Sequence, residues 1–231
     1  SRFPGDPVPT LRTLLTHHAG LPSDLSAVQD APGYEISQLP EVLRDEWLTH
    51  APGRTAVYSS IGIDLAALVV QRTTGREYSD YLRESVLVPL GMRGASVRAQ
   101  SRGASTDAMG HDANGNPAPA ITYQPCASIR ASVADMAQLI KWVNGRGRVG
   151  DTRVLSAAGA DEMLRVQYVG LPLDLGAGVG LSWFVERGSE ASGDIVHHKG
   201  ATEGFLAQLS VAREHDVGVV VLGNDRRLLV G

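Results

Sequence analysis

Apolar spacing along this chain changes its period once, near Gly176, and that change limits the possible folds more than any other feature. Beyond it Val179, Leu181 and Trp183 alternate, residues 194–198 make a short run, and Phe205, Ala207, Leu209 and Val211 alternate again. Residues 217–222 then form a near-continuous apolar run that reads as a buried strand. Turn residues separate these four segments, so the spacing predicts an antiparallel meander.

Before Gly176 the period is helical. Thr10 caps a segment whose Leu11, Leu14, Leu15 and His18 share one face, ended by Gly20-Leu21-Pro22. A second carries Val42, Leu43 and Trp47 and is stopped by Ala51-Pro52-Gly53. Ser59 or Ser60 caps a third, with Leu65, Leu68, Val69 and Arg72 in register and Gly75 as its C-terminal stop. A fourth runs from Glu77 with Tyr78, Tyr81 and Leu82 toward Pro89. After a loop rich in Gly, Asn and Pro (101–120), Ser132 and Asp135 form a capping box ahead of Met136, Leu139, Ile140 and Val143. Helices first and a sheet last predict an α+β fold in one domain spanning 1–231, helical over about 10–170 and sheet over about 176–225.

Composition excludes several function classes. The net charge is −4 with no block of like charge, which argues against a nucleic-acid groove or an anionic membrane surface as partner. No apolar run approaches the roughly 18 residues that a membrane-spanning helix needs. Cys126 is the one cysteine, so no disulfide forms within the chain, and no Cys/His spacing resembles a closed zinc site. A lone thiol leaves the compartment open. The first nine residues hold three prolines and a glycine, without a start methionine or signal segment, and residue 231 follows the last strand closely. Both ends read as cut from a longer chain, which would leave the domain incomplete and its sheet partly uncovered, open to association with another molecule.

Five segments in order carry a resemblance: Leu14-Leu15-Thr16-His17-His18-Ala19-Gly20-Leu21-Pro22; Ala51-Pro52-Gly53-Arg54 leading into Tyr58-Ser59-Ser60; Pro89-Leu90-Gly91-Met92; Gly180-Leu181-Ser182-Trp183; and His198-Lys199-Gly200 with Gly204-Phe205. Together they resemble the serine β-lactamase and DD-peptidase family, in its class C-like branch with esterases and D-aminopeptidases. The resemblance implies a β-lactamase/transpeptidase-like fold, here without its N- and C-terminal elements, acting on a small-molecule acyl substrate with no metal and no cofactor. That family surrounds the reacting carbonyl with three motifs: Ser-x-x-Lys, Tyr-x-Asn or Ser-x-Asn, and Lys-Thr-Gly or His-x-Gly. The second corresponds to Tyr58-Ser59-Ser60 and the third to His198-Lys199-Gly200. The first does not occur: the residues three before Lys141 and Lys199 are Gln138 and Val196. The expected place of the nucleophile is therefore upstream.

A serine hydroxyl needs a base beside it, and an acyl-enzyme splits one hard hydrolysis into two easier steps. The resemblance implies that the lysine of the first motif and Tyr58 share that proton traffic, with Tyr58 protonating the leaving group. A phenol of ordinary pKa about 10 does this when positive charge lowers it, and the upstream lysine would supply that charge. His198 would orient the substrate or Tyr58 from a strand edge. Gly200, lacking Cβ, would let substrate backbone approach, and the Ala201 N–H would be one oxyanion donor.

Two positions depart from the family. Ser60 stands where an asparagine amide usually binds an acylamino side chain, which favours esters or other small acyl substrates. Lys199 replaces a small residue, and strand alternation points it away from His198. Taken alone, other residues read as structural: His17 and His18 as helix packing and capping, Trp47, Trp142 and Trp183 as core, Asp135 as a cap, Arg130 as an ion-pair partner. The alternative to a hydrolase is a non-catalytic penicillin-binding-protein-like relative that binds a peptide or acyl ligand.

Overall fold

Thr10 opens helix α1 (Leu11–Leu15) through a reciprocal bond pair with Thr13. The computed structural model describes residues 7–25, 34–44, 46–97, 107–118, 125–176, 178–189, 193–202 and 204–229, so part of the predicted 101–120 loop lies outside it. α1 ends at Leu15, before the expected His18, because His17 turns left-handed at φ 60°. The second predicted helix is also shorter: α2 (Leu39–Val42) follows a 3₁₀ turn over Ile36–Gln38 and gives way to i→i−3 bonds. Trp47, expected in the core, is 53% exposed.

Helix α3 (Ser60–Thr74) forms as the caps predict. The Ser59 hydroxyl accepts the Gly62 N–H at 3.1 Å, and Gly75 closes the helix at φ 67°. Helix α4 (Tyr78–Leu82) continues as a π-turn over Arg83–Leu87. The Ser132–Asp135 capping box opens α5 (Val133–Asn144), where Asp135 also accepts the Gly94 N–H at 3.1 Å. Ser156 caps α6 (Ala157–Leu164), a helix that the apolar spacing does not signal. Two short antiparallel strand pairs, β1 (Ser96–Val97) with the distant β2 (Ile129–Arg130) and the hairpin of β3 (Arg148–Val149) with β4 (Thr152–Arg153), lie between these helices. Arg130 pairs with Asp107 at 2.9 Å, the structural role expected of it.

The sheet is the predicted antiparallel meander with one strand more: β5 (Gly178–Val179), β6 (Phe184–Glu186), β7 (Ile195–Thr202), β8 (Phe205–Ala212) and β9 (Val217–Gly223), each beside the next. Val179, Leu181 and Trp183 do not share a strand. The Gly180 N–H bonds the Trp183 carbonyl at 2.7 Å, turning the segment into a hairpin with Ser182 at φ 62°.

Register assigns the two faces. Val185, Val196, Val211 and Gly218 lie in one row, and His198, Leu209 and Val220 in another of the same face. This face meets α5, and Ile140 packs so close to Gly218 that a Cβ there would overlap its side chain. The core between them includes Trp142, Val143 and Trp183. On the opposite face stand Phe184, His197, Ser210 and Val219. Val217, Val219 and Val221 are 53–59% exposed there, so the run expected to be a buried strand is buried on one side alone. Its continuous apolar pattern suits a strand covered on both faces, and among the described residues nothing covers the second.

Candidate active site

Two sequence-distant segments form one wall. The Thr49 N–H bonds the Gly20 carbonyl at 2.7 Å, the Gly53 N–H the His18 carbonyl at 2.8 Å and the Val57 N–H the His17 carbonyl at 2.9 Å. Gly20 sits at φ 76°, where a Cβ would collide with the His50 carbonyl, so this join requires glycine. The Ser59 hydroxyl donates to the Pro22 carbonyl at 2.7 Å and the Ser23 hydroxyl to the Tyr58 carbonyl at 2.9 Å. Beneath the wall His18 Nε2 lies 3.0 Å from Asp174 Oδ2, with both side chains almost wholly buried. Asp174 Oδ1 accepts the Ala56 N–H at 2.8 Å. Burial opposes the Asp174 charge, but bonds from Ala56, His18 and Thr55 hold its carboxyl below the usual range.

Tyr58 projects from this wall, 43% exposed, toward the sheet. Its ring centroid lies 4.5 Å from that of His17 and 6.1 Å from that of His198. Phe184 stands 5.7 Å from His198 and 6.1 Å from His17. His198 occupies the core-side face of β7 one residue beyond the end of the β6 pairing, which stops at His197. That place explains its position: it faces the helical region, with no β6 residue paired opposite.

The electrostatics keep these groups uncharged at neutral pH. Burial, then the Cys126 sulfur and the Asp24 and Asp64 carboxylates, raise the Tyr58 phenol above its usual value, against a lowering hydrogen bond with Ser60. The lowered phenol that a general base requires is thus not produced by these neighbours. Burial is also the first cause at His17, lowered to about 4 with His198 and His18 adding to it, and at His198, whose value falls despite a bond with the Lys199 backbone.

The structure brings Tyr58 to His198 and bonds its phenol to Ser60. Ser60 is the first residue of α3. Lys199 is exposed on the other face of β7, in register with Gln208 and Val221. Gly200 and Ala201 are exposed farther along β7, and a Cβ on Gly200 would meet only the Ala207 Cβ, at 3.8 Å. Packing does not demand a glycine there. His17 and His18 cap α1 as the sequence reading expects, their N–H groups bonding the Leu14 and Thr13 carbonyls at 3.2 and 2.8 Å, but that reading does not place His17 under Tyr58, where its ring also lies. Its place inside a segment of the family resemblance is the one available signal. Phe184 and the Cys126–Asp64 pair, joined by a 2.8 Å bond from the Cys126 N–H, are further neighbours that neither motif nor periodicity signals. Among the described residues no three His, Cys, Asp or Glu side chains converge as metal ligands.

A helical region against an antiparallel meander, with Tyr58 facing His198 across the junction, has the β-lactamase/transpeptidase-like architecture. The chain belongs to the Beta-lactamase family, whose model matches residues 2–229. It is 25% identical over 230 residues to Protein flp of Staphylococcus aureus strain N315, covering 93% of this chain and 43% of that one. The chain thus spans less than half of that relative. Among solved structures, an octameric penicillin-binding protein homologue from Pyrococcus abyssi superposes with a TM-score of 0.74 at 22% identity, over 93% of this chain and 51% of the other. A class C beta-lactamase superposes equally, at 0.74 with 17% identity, over 92% and 63%. D-alanine carboxypeptidases share the same fold.

Proposed function

We propose that this chain contributes two of the three motifs of a serine acyl hydrolase that forms a covalent acyl-enzyme on an ester, amide or β-lactam. The nucleophilic serine and its lysine lie outside these 231 residues, which contain no Ser-x-x-Lys. The observation that carries the reading is the approach of Tyr58 to His198, 6.1 Å between ring centroids, from segments 140 positions apart (198 − 58).

The roles follow from chemistry. A phenol raised above its usual value holds its proton, which suits donation to a leaving group, and a cation beside it is needed before it accepts one. The lysine of the first motif meets that need. His198, neutral at pH 7, orients the phenol or the substrate. Gly200 leaves room for substrate backbone along β7, the Ala201 N–H is one oxyanion donor, and Lys199 borders the substrate from the outer face. Ser60, shorter than asparagine, favours simple esters over acylamino compounds.

A fluorophosphonate and a fluorescent penicillin test this on the full-length protein and on the 231-residue chain, with mass spectrometry locating the label. One serine outside residues 1–231 should be labelled, and the shorter chain should stay unlabelled. Tyr58→Phe in the full-length protein should slow acylation by about a hundredfold or more without unfolding it. Stoichiometric label within residues 1–231, or an unaffected Tyr58→Phe variant, overturns the reading. A full-length protein that takes no label but binds penicillin reversibly is the non-catalytic relative.

A further inference from the structure

We propose that His17 is a positioning residue of this site, its imidazole seated under the Tyr58 ring so as to orient the phenol toward His198. The inference rests on the hydrolase reading and names a residue that the three motifs do not contain. Four observations carry it. The two rings are 4.5 Å apart at 38°, closer than any other ring to Tyr58 among the described residues. The Ser59 N–H donates to His17 Nδ1 at 3.2 Å, which leaves the ring proton on Nε2 and fixes the tautomer. Nε2 is buried without a hydrogen-bond partner in a residue 2% exposed. The backbone is left-handed, at φ 60°, where the His17 and His18 N–H groups close α1 on the Leu14 and Thr13 carbonyls while Val57 and Gly53 bond the His17 and His18 carbonyls, so the ring is fixed from both sides of the wall.

A residue kept for packing alone would carry neither penalty. A glycine would remove the backbone strain and an aliphatic side chain the unmet donor. The imidazole does what those residues cannot: it accepts from the N-cap residue of α3 and offers a flat polar face to the side chain just before that cap. Ser59 follows Tyr58 directly, so one ring fixes both the main chain and the side chain of the motif. The groups facing this contact are His18 beside it in the chain, Phe184 from β6 and His198 from β7. Asp24, Asp64 and Cys126 lie around Tyr58 itself.

The full-length protein supplies the test. In His17→Asn the shorter amide still offers an oxygen to the Ser59 N–H and tolerates the left-handed backbone, but the ring is gone. The variant should melt within about 4 °C of the parent. Its kcat on an acyl ester should fall at least about tenfold while KM moves less than about threefold, with the basic limb of the pH profile displaced. A kcat within about twofold and an unmoved limb would reduce His17 to a backbone acceptor and overturn the proposal. A second measurement needs no turnover and leaves His17 itself unchanged. In ¹⁵N-histidine-labelled parent protein, the His17 ring signals should shift at the midpoint of Tyr58 ionisation, and that shift should vanish in Tyr58→Phe. His17 signals that stay still while Tyr58 ionises overturn the proposal even if the protein proves to be no hydrolase. Coupled signals in a protein without turnover would sink the hydrolase reading and leave the contact standing.

Discussion

At the scale of single residues, charge states decide what the site does. His17 is lowered to about 4 by burial first and by neighbouring imidazoles second, while an unfolded histidine titrates near 6.5. Between those values the unfolded chain binds more protons than the folded one, so stability rises with pH there and is lost as pH falls from 6.5 toward 4. His197 and His198 shift the same way. We expect urea midpoints to fall steadily over that window, by the equivalent of about 3 kcal/mol from His17 alone. A midpoint independent of pH between 7 and 4 would contradict the neutral cluster. Ser60 poses a separate question of specificity. Ser60→Asn in the full-length protein should raise kcat/KM for an acylamino substrate more than for a simple ester, by up to about tenfold, the worth of one hydrogen bond. Equal gains on both substrates would show that this position does not set the preference.

Between elements, the wall bearing Tyr58 depends on joins whose costs differ. Asp174 ties the segment after α1 to the loop before α3 through His18 and the Ala56 N–H. Asp174→Ala leaves the buried His18 ring and the half-buried Ala56 N–H unmet and should cost about 3 kcal/mol by chemical denaturation. Ser59→Ala removes a helix cap whose loss costs about 1 kcal/mol, together with the bond to Pro22. A smaller loss for Asp174→Ala than for Ser59→Ala would mean that the cap, not the buried pair, holds the wall.

For the whole molecule, the five-stranded sheet has one face against α5 and one bearing Val217, Val219 and Val221 in the open. Exposed β-branched residues along an outer strand invite association. The 231-residue chain should therefore self-associate in light scattering, and Val219→Lys with Val221→Glu should return it toward a monomer without lowering its melting temperature. A parent chain that is monomeric and binds no apolar dye would show that this face needs no cover.

What was legible in the residues was local or involved neighbours in the chain. Ser59, Gly75 and the Ser132–Asp135 box end or begin helices because caps are satisfied within a turn, and the meander follows because short connections allow little else. The motif resemblance likewise pointed to Tyr58 and His198. Periodicity misread the rest for one reason: burial is decided by what arrives from elsewhere. Residues 217–222 look buried throughout, yet α5 covers only the side of Gly218 and Val220. Val179, Leu181 and Trp183 alternate like a strand, but the turn over Gly180 to Trp183 is held by the bond from the Ser182 N–H to the Leu15 carbonyl, at 2.6 Å, as well as by its own. His18 continues an apolar helix pattern on paper, but α1 ends at Leu15; bonds from Val57 and Gly53, some forty positions away, hold the His17 and His18 carbonyls and help to keep His17 under Tyr58. The residues themselves determined the capped helices and the order of helices before sheet, because those signals are satisfied locally, and tertiary contact decided where several elements end and which side chains meet.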